Sequence, residues 1–137
     1  FKKRAFNMNK NRKNIRDISF MSKKNGKVIM VHSVIAREVA RLLENDDRVE
    51  HYDTDVPLEK VAEKIDTTGL RDAYLTIGWK TDFAIHLADE RVVIIEVETR
   101  ENLQKKASVE KLEISRRYWK GQVDDWKIVM GDELLKW

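Results

Sequence analysis

The sequence predicts a single α/β domain of 137 residues, and three observations carry that prediction. Val92-Val93-Ile94-Ile95 is an unbroken β-branched run, the composition of a strand covered on both faces. Ile35, Val39, Leu42 and Leu43 recur at helical spacing behind Ser33, an apolar stripe that follows a good helix cap. Strand-like and helix-like segments then succeed one another with no internal repeat and no linker-like stretch, an α/β order around one core. The length suffices for one proper core and not for two.

Taken in order, residues 1–14 read as irregular. Residues 15–20 and 27–31 form two short strands joined at Lys24-Asn25-Gly26, because Asn-Gly favours a hairpin. Ser33 caps a helix running to about Glu44. A strand over 48–52 follows, and Pro57 sits in the first turn of a second helix over 58–65. Thr67-Thr68-Gly69 ends that helix, and a loop or extended segment leads to a strand over 81–87. Ala88-Asp89-Glu90-Arg91 is short enough to return the chain as a hairpin into 92–98. A charged connector enters a helix of roughly 109–120, stopped by Gly121. Residues 126–130 make the last strand, and Asp132 caps a final turn.

There is no cysteine, so no disulfide framework and no thiolate zinc site, and a reducing, cytoplasmic setting is the default. No apolar run approaches the roughly 20 residues that span a bilayer, which excludes a membrane helix. Phe1-Lys2-Lys3-Arg4 has neither an initiator methionine nor a signal core, and reads as a trimmed or partly ordered terminus rather than a targeting peptide. The net charge of +3 hides an asymmetry. Residues 1–27 hold ten Lys/Arg against Asp17 alone, a balance of +9, and the rest of the chain carries −6. A basic arm ahead of an acidic body suits phosphate contact; the plain alternative is a solubilising tail. Because Phe1, Phe6, Ile15, Ile18, Phe20 and Met21 interleave the charges, DNA contact is the stronger reading. Lys2, Lys3, Arg4, Lys10, Arg12, Lys13 and Arg16 are its candidate residues. Two segments follow: a basic 1–32 with short strands, and a body over 33–137.

The hairpin of 81–98 carries the chemistry. It brings Asp82, near the start of one strand, beside Glu96, near the end of the next. Clustered carboxylates repel unless a cation or proton offsets them, which points to a hard metal ion. Such a site holds oxygen alone, and His32, His51 and His86 are scattered, so magnesium fits better than zinc. His86 reads as a packed strand histidine. The plain alternative is a solvated hairpin end carrying ordinary acids.

With these residues in place, the layout resembles the D…ExK pattern of restriction-endonuclease-like, PD-(D/E)xK nucleases, whose core is a mixed sheet flanked by helices. More narrowly, the chain resembles the N-terminal catalytic domain of the TnsA endonuclease family of Tn-seven-like transposons. The resemblance runs through Ser33-Val34-Ile35-Ala36-Arg37, Leu43-Glu44, Val49, Val56-Pro57-Leu58, Thr81-Asp82-Phe83 and Ile95-Glu96-Val97. It ends with Glu110-Lys111-Leu112-Glu113-Ile114 and Arg117-Tyr118-Trp119. It implies a Mg²⁺ (or Mn²⁺)-dependent endonuclease over 33–137 that cuts the 5′ ends of the element. The implied partners are transposon-end DNA, the DDE-class transposase TnsB and the AAA+ regulator TnsC, in a bacterial, nucleoid-associated setting. Asp82, Glu96 and the carbonyl of Val97 would then hold the metal.

Two positions depart from that pattern. The family's Ser-x-x-Glu-Arg motif places a catalytic glutamate where this chain has Ala36, which reads as an inactivating substitution, the plain alternative being a small residue at the edge of the apolar stripe; Glu38, about 200° around the helix, faces away. Glu98 occupies the lysine slot, where it could bind a metal, be paired by Arg100, or stand as an ordinary exposed strand-end residue, with Lys105, Lys106 or Lys111 supplying the missing cation. Glu113 is a candidate to brace the site. The aromatic helix packs Leu112 and Trp119 inward as core, or else presents a DNA- or partner-facing patch with Arg116, Arg117 and Lys120 outside. The competing functions are a junction-resolvase-like or restriction-type nuclease of the same fold, and a non-catalytic DNA-binding or scaffold subunit.

Overall fold

A computed structural model describes residues 15–130. The irregular 1–14, the Asp132 cap and the candidate DNA contacts from Lys2 to Lys13 lie outside the described residues. Chain order is β1 (Ile15–Ser22), β2 (Lys27–Ser33), α1 (Val34–Glu44), β3 (Val49–Pro57), α2 (Val61–Lys64), α3 (Asp72–Leu75), β4 (Lys80–Leu87), β5 (Val92–Glu98), a 3₁₀ turn (Asn102–Gln104), α4 (Lys106–Trp119) and β6 (Asp125–Met130). β3-β4-β5-β6 form one sheet, antiparallel except for the parallel β5–β6 pair, and β1–β2 form a separate two-stranded ribbon. The α/β reading holds: a mixed four-stranded sheet flanked by helices. Among the described residues no helix is long and apolar enough to cross a membrane.

The ribbon turns where the sequence expects it, at Asn25-Gly26. Gly26 takes φ +68°, which glycine adopts at no steric cost. Both strands run two residues farther than their composition suggests, and at the turn end Glu44 of α1 holds β1 in place. Its carboxylate accepts from the Ser22 hydroxyl at 2.5 Å and from the amides of Lys23 and Lys24. Ser33 ends β2 and caps α1, its Oγ accepting from the Ala36 amide at 3.0 Å.

The buried stripe of α1 is Ala36, Val39, Ala40 and Leu43. Leu42 lies outside it at 43% exposed, because the two small alanines centre the contact arc away from it. Pro57 closes β3 opposite Lys80, instead of opening a helix. It lacks the N–H that a strand interior would require, so a strand end suits it. The expected 58–65 helix shrinks to α2, entered through Lys60 with φ +55°. α3 replaces part of the expected loop, and α4 starts three residues earlier than predicted.

One core cluster joins Val39, Leu43, Tyr52, Phe83, Ile95 and Val97 beneath α1 and the ribbon. A second joins Leu58, Val61, Ile114 and Tyr118, with Trp79 and Trp119 at its margin. β5 is therefore covered on both faces, as its β-branched run predicts. Val93, Ile95 and Val97 enter the first cluster, while Glu96 turns toward α4.

Candidate functional site

The register of β4 and β5 pairs His86 with Val92 at one end and Phe83 with Ile95 at the other. Beyond Phe83, side chains take over from the ladder. The Asp82 amide donates to Glu96 Oε1 at 3.2 Å, and the Val97 amide donates to Asp82 Oδ2 at 2.7 Å. The two predicted acids therefore do converge, each bonded to the backbone of the other's strand. Val97 meets Asp82 through its N–H.

Glu96 is fully buried, and both its oxygens are occupied. Oε2 accepts from the Thr81 hydroxyl at 2.9 Å and the Ser115 hydroxyl at 2.5 Å. Those hydroxyls in turn accept from indoles: Trp119 Nε1 reaches Thr81 at 2.7 Å, and Trp126 Nε1 reaches Ser115 at 2.9 Å. On the other side, Lys111 Nζ lies 3.6 Å from Glu96 Oε1 and 3.9 Å from Asp82 Oδ2. The cation that the paired acids require is thus supplied by α4.

The electrostatics follow from that arrangement. Burial would lower the Lys111 ammonium, but Asp82, Glu96 and Glu98 outweigh it and hold its pKa above the ordinary lysine value. Glu96 moves up from the ordinary glutamate range. Burial is the main cause and the Asp82 charge the next, with Lys111, Ser115 and Thr81 opposing. Asp82, Glu96 and Glu98 share one ammonium, and burial makes Glu96 hold a proton more readily than an exposed glutamate does.

Glu98 is not an exposed strand-end residue. It is buried, and its Oε1 accepts from the Thr99 amide at 3.2 Å and from Asn102 Nδ2 at 2.9 Å. Glu113 does not brace the site. It is paired with Arg116 and Arg117, and the Arg116 hydrogen bond, the largest influence, brings its carboxyl down to about 2. Glu38 faces solvent beside Arg37 and Arg41.

Ala36 and Asp82 line one cavity of about 190 Å³, with His32 and Asp55 at its margin. A side chain longer than alanine at 36 would occupy that space, on the Asp82 side of the acid pair. Two of the expected three carboxylates are present, and among the described residues no three His, Cys, Asp or Glu side chains gather closely enough to hold a metal ion. The donor set fits a divalent cation only in part: one acid opens to the cavity and the other is already saturated.

The histidines are less scattered than the sequence suggests. His51 and His86 stack across β3–β4 with ring centroids 4.3 Å apart. His32 bridges the ribbon to β3, Nδ1 lying 2.7 Å from Asp17 and Nε2 2.6 Å from Asp55. Both nitrogens face carboxylates, which suits the imidazolium, a donor at each position. Its pKa is raised, chiefly by the Asp17 hydrogen bond and then by Asp55, against a partial desolvation. A raised histidine stabilises the fold fully below the unfolded value of about 6.5 and loses that contribution as pH rises through the folded value. An NMR titration of His32 should give a midpoint above 6.5 that falls in Asp17→Asn; an unmoved midpoint in that variant contradicts the bridge.

Ser115, Thr81, Trp119 and Trp126 carry no sequence motif that marks them for this site. The available signal is spacing, since Lys111, Ser115 and Trp119 stand at i, i+4 and i+8, one face of α4. Comparison with models of known families and with curated proteins finds no match to this chain.

Proposed function

We propose that this chain is an endonuclease-type subunit of a DNA-transposition complex, with a restriction-endonuclease-like core silenced at position 36. The observation that carries the reading is the convergence of Asp82 and Glu96 where the β4–β5 ladder stops, with Ala36 lining the same cavity as Asp82. An acid pair at an opening sheet end, with a lysine between them, is the donor arrangement of metal-assisted phosphodiester hydrolysis. There a bound Mg²⁺ or Mn²⁺ lowers the pKa of its water and offsets charge on the phosphate. Lys111 takes over, from a helix, the cationic role the pattern assigns to position 98. The proposed setting is bacterial and nucleoid-associated. The proposed partners are transposon-end DNA, TnsB for the second pair of strand cuts, and TnsC.

A second reading, a non-catalytic DNA-binding or scaffold subunit, is favoured by one observation: Lys111 already neutralises the acids that a metal would otherwise require. Ala36→Glu separates the two. In the proposed account it nicks end-bearing plasmid in Mg²⁺, with the partner transposase present, whereas Ala36→Gln does not. Folded Ala36→Glu protein that leaves the plasmid intact favours the scaffold, and preference for four-way junctions over transposon ends favours a resolvase.

A further inference from the structure

The ribbon of β1 and β2 shares no strand ladder with the main sheet. Its inner face, Ile18, Phe20, Ile29 and Val31, packs on the first core cluster. Its outer face presents Met21, Val28 and Met30 to solvent, 65%, 62% and 43% exposed. Met21 stands directly opposite Val28, and Met30 opposite Ser19. These three adjacent side chains form an apolar patch on the ribbon's outer face. Exposed Lys23 and Lys27 flank the patch at the turn, and exposed Arg16 lies toward the other end.

We propose that this outer face docks duplex DNA in the major groove; the choice of DNA rests on the endonuclease reading above. Charge argues for a polyanion, since the ribbon itself carries Arg16, Lys23, Lys24 and Lys27 against Asp17 alone. Shape agrees, because the major groove admits a two-stranded antiparallel ribbon. The apolar patch matches the C5-methyl of thymine, the apolar group on the base edges of that groove, and the Ser19 hydroxyl suits either base pair. Arg16, Lys23 and Lys27 serve phosphates, which position the ribbon without reading sequence.

The ribbon is also pre-organised. Glu44 holds the Ser22–Lys24 turn, and Lys24 Nζ donates to the carbonyls of Asp46 and Val49 at 2.7 Å each. Binding therefore orders little new chain. A second copy is a poorer occupant. The flanking Lys23 and Lys27 of two copies would repel.

The test is fluorescence anisotropy of the full chain on A·T-rich duplex, made with thymine or with uracil. Uracil should weaken binding by the unaltered chain, on the order of tenfold when several methyl groups are missing from the groove. It should have no effect on Met21→Thr/Val28→Thr/Met30→Thr. Lys23→Gln/Lys27→Gln should flatten the log–log salt slope by roughly 0.9 for each phosphate that is no longer neutralised. Equal affinity for thymine and uracil duplexes, with an unchanged slope in the lysine variant, overturns the proposal. So does concentration-dependent self-association that the triple variant abolishes, which would make a second copy the occupant. If these binding results fail while Ala36→Glu still nicks, the ribbon proposal falls alone. If they hold while Ala36→Glu does not nick, the docking face stands and the nuclease reading falls.

Discussion

Lys111→Met is expected to destabilise the protein by about 3–5 kcal/mol, the usual cost of removing one partner from a buried ion pair. The change keeps side-chain length and burial but leaves Asp82 and Glu96 facing each other with no cation. The loss should depend on pH in a specific direction. Glu96 already sits above the ordinary glutamate range, and without Lys111 it rises further. Between the unfolded value of 4.5 and that raised value the folded state binds the extra proton, so stability increases as pH falls. Urea unfolding at about pH 5 and about pH 8 should show the smaller deficit at the lower pH. Adding Glu96→Gln to Lys111→Met should recover part of the loss at the higher pH. A deficit below about 1 kcal/mol, equal at both pH values, contradicts the shared-cation account.

Glu44→Ala is the second large effect, about 3 kcal/mol. Glu44 Oε2 accepts from the hydroxyls of Ser22 at 2.5 Å and Tyr52 at 2.6 Å, and Oε1 from two ribbon amides. Ser22 and Tyr52 are buried, so removing the carboxylate leaves donors without partners at about 1–3 kcal/mol each. Burial alone would raise the Glu44 carboxyl, but the bonds from Ser22, Tyr52, Lys24 and Lys23 together outweigh it and the pKa is lowered. This contribution is therefore present above the unfolded value of 4.5 and lost as pH falls through the folded one. Thermal unfolding of Glu44→Ala should show the deficit at about pH 7 shrinking toward about pH 3. The Ser22→Ala/Tyr52→Phe double variant should cost less than Glu44→Ala, since it removes donors as well as bonds.

How much of this was legible in the sequence depended on whether a signal was local. The β-branched run of 92–95, the Asn-Gly turn and the Ser33 cap act within a few residues of themselves, and all three read correctly. The acid pair was legible too, because a short hairpin connector fixes which residues face each other across it. Pro57 misled, because the proline that suits a first helical turn also suits the end of a strand, and pairing with Lys80 decided between them. Leu42 misled because period alone cannot say where the buried arc is centred; the alanines at 36 and 40 decide that through their size. Glu98 was ambiguous for a different reason. Its burial depends on Asn102 and on α4 folding back over β5, which are tertiary facts. The same packing chose Lys111 from three candidate lysines, and no pattern within the connector ranks them.

The proposed nuclease reading requires that Asp82, which opens to the cavity beside Ala36, can hold a divalent ion once a carboxylate stands at position 36. Calorimetric titration of Mn²⁺ into folded Ala36→Glu and Ala36→Glu/Asp82→Asn tests it without depending on DNA or partner proteins. The account predicts one saturable ion in Ala36→Glu, roughly tenfold or more weaker binding in the unaltered chain, and loss of the ion on adding Asp82→Asn. Equal Mn²⁺ binding by the unaltered chain and Ala36→Glu, or no effect of Asp82→Asn, would contradict it.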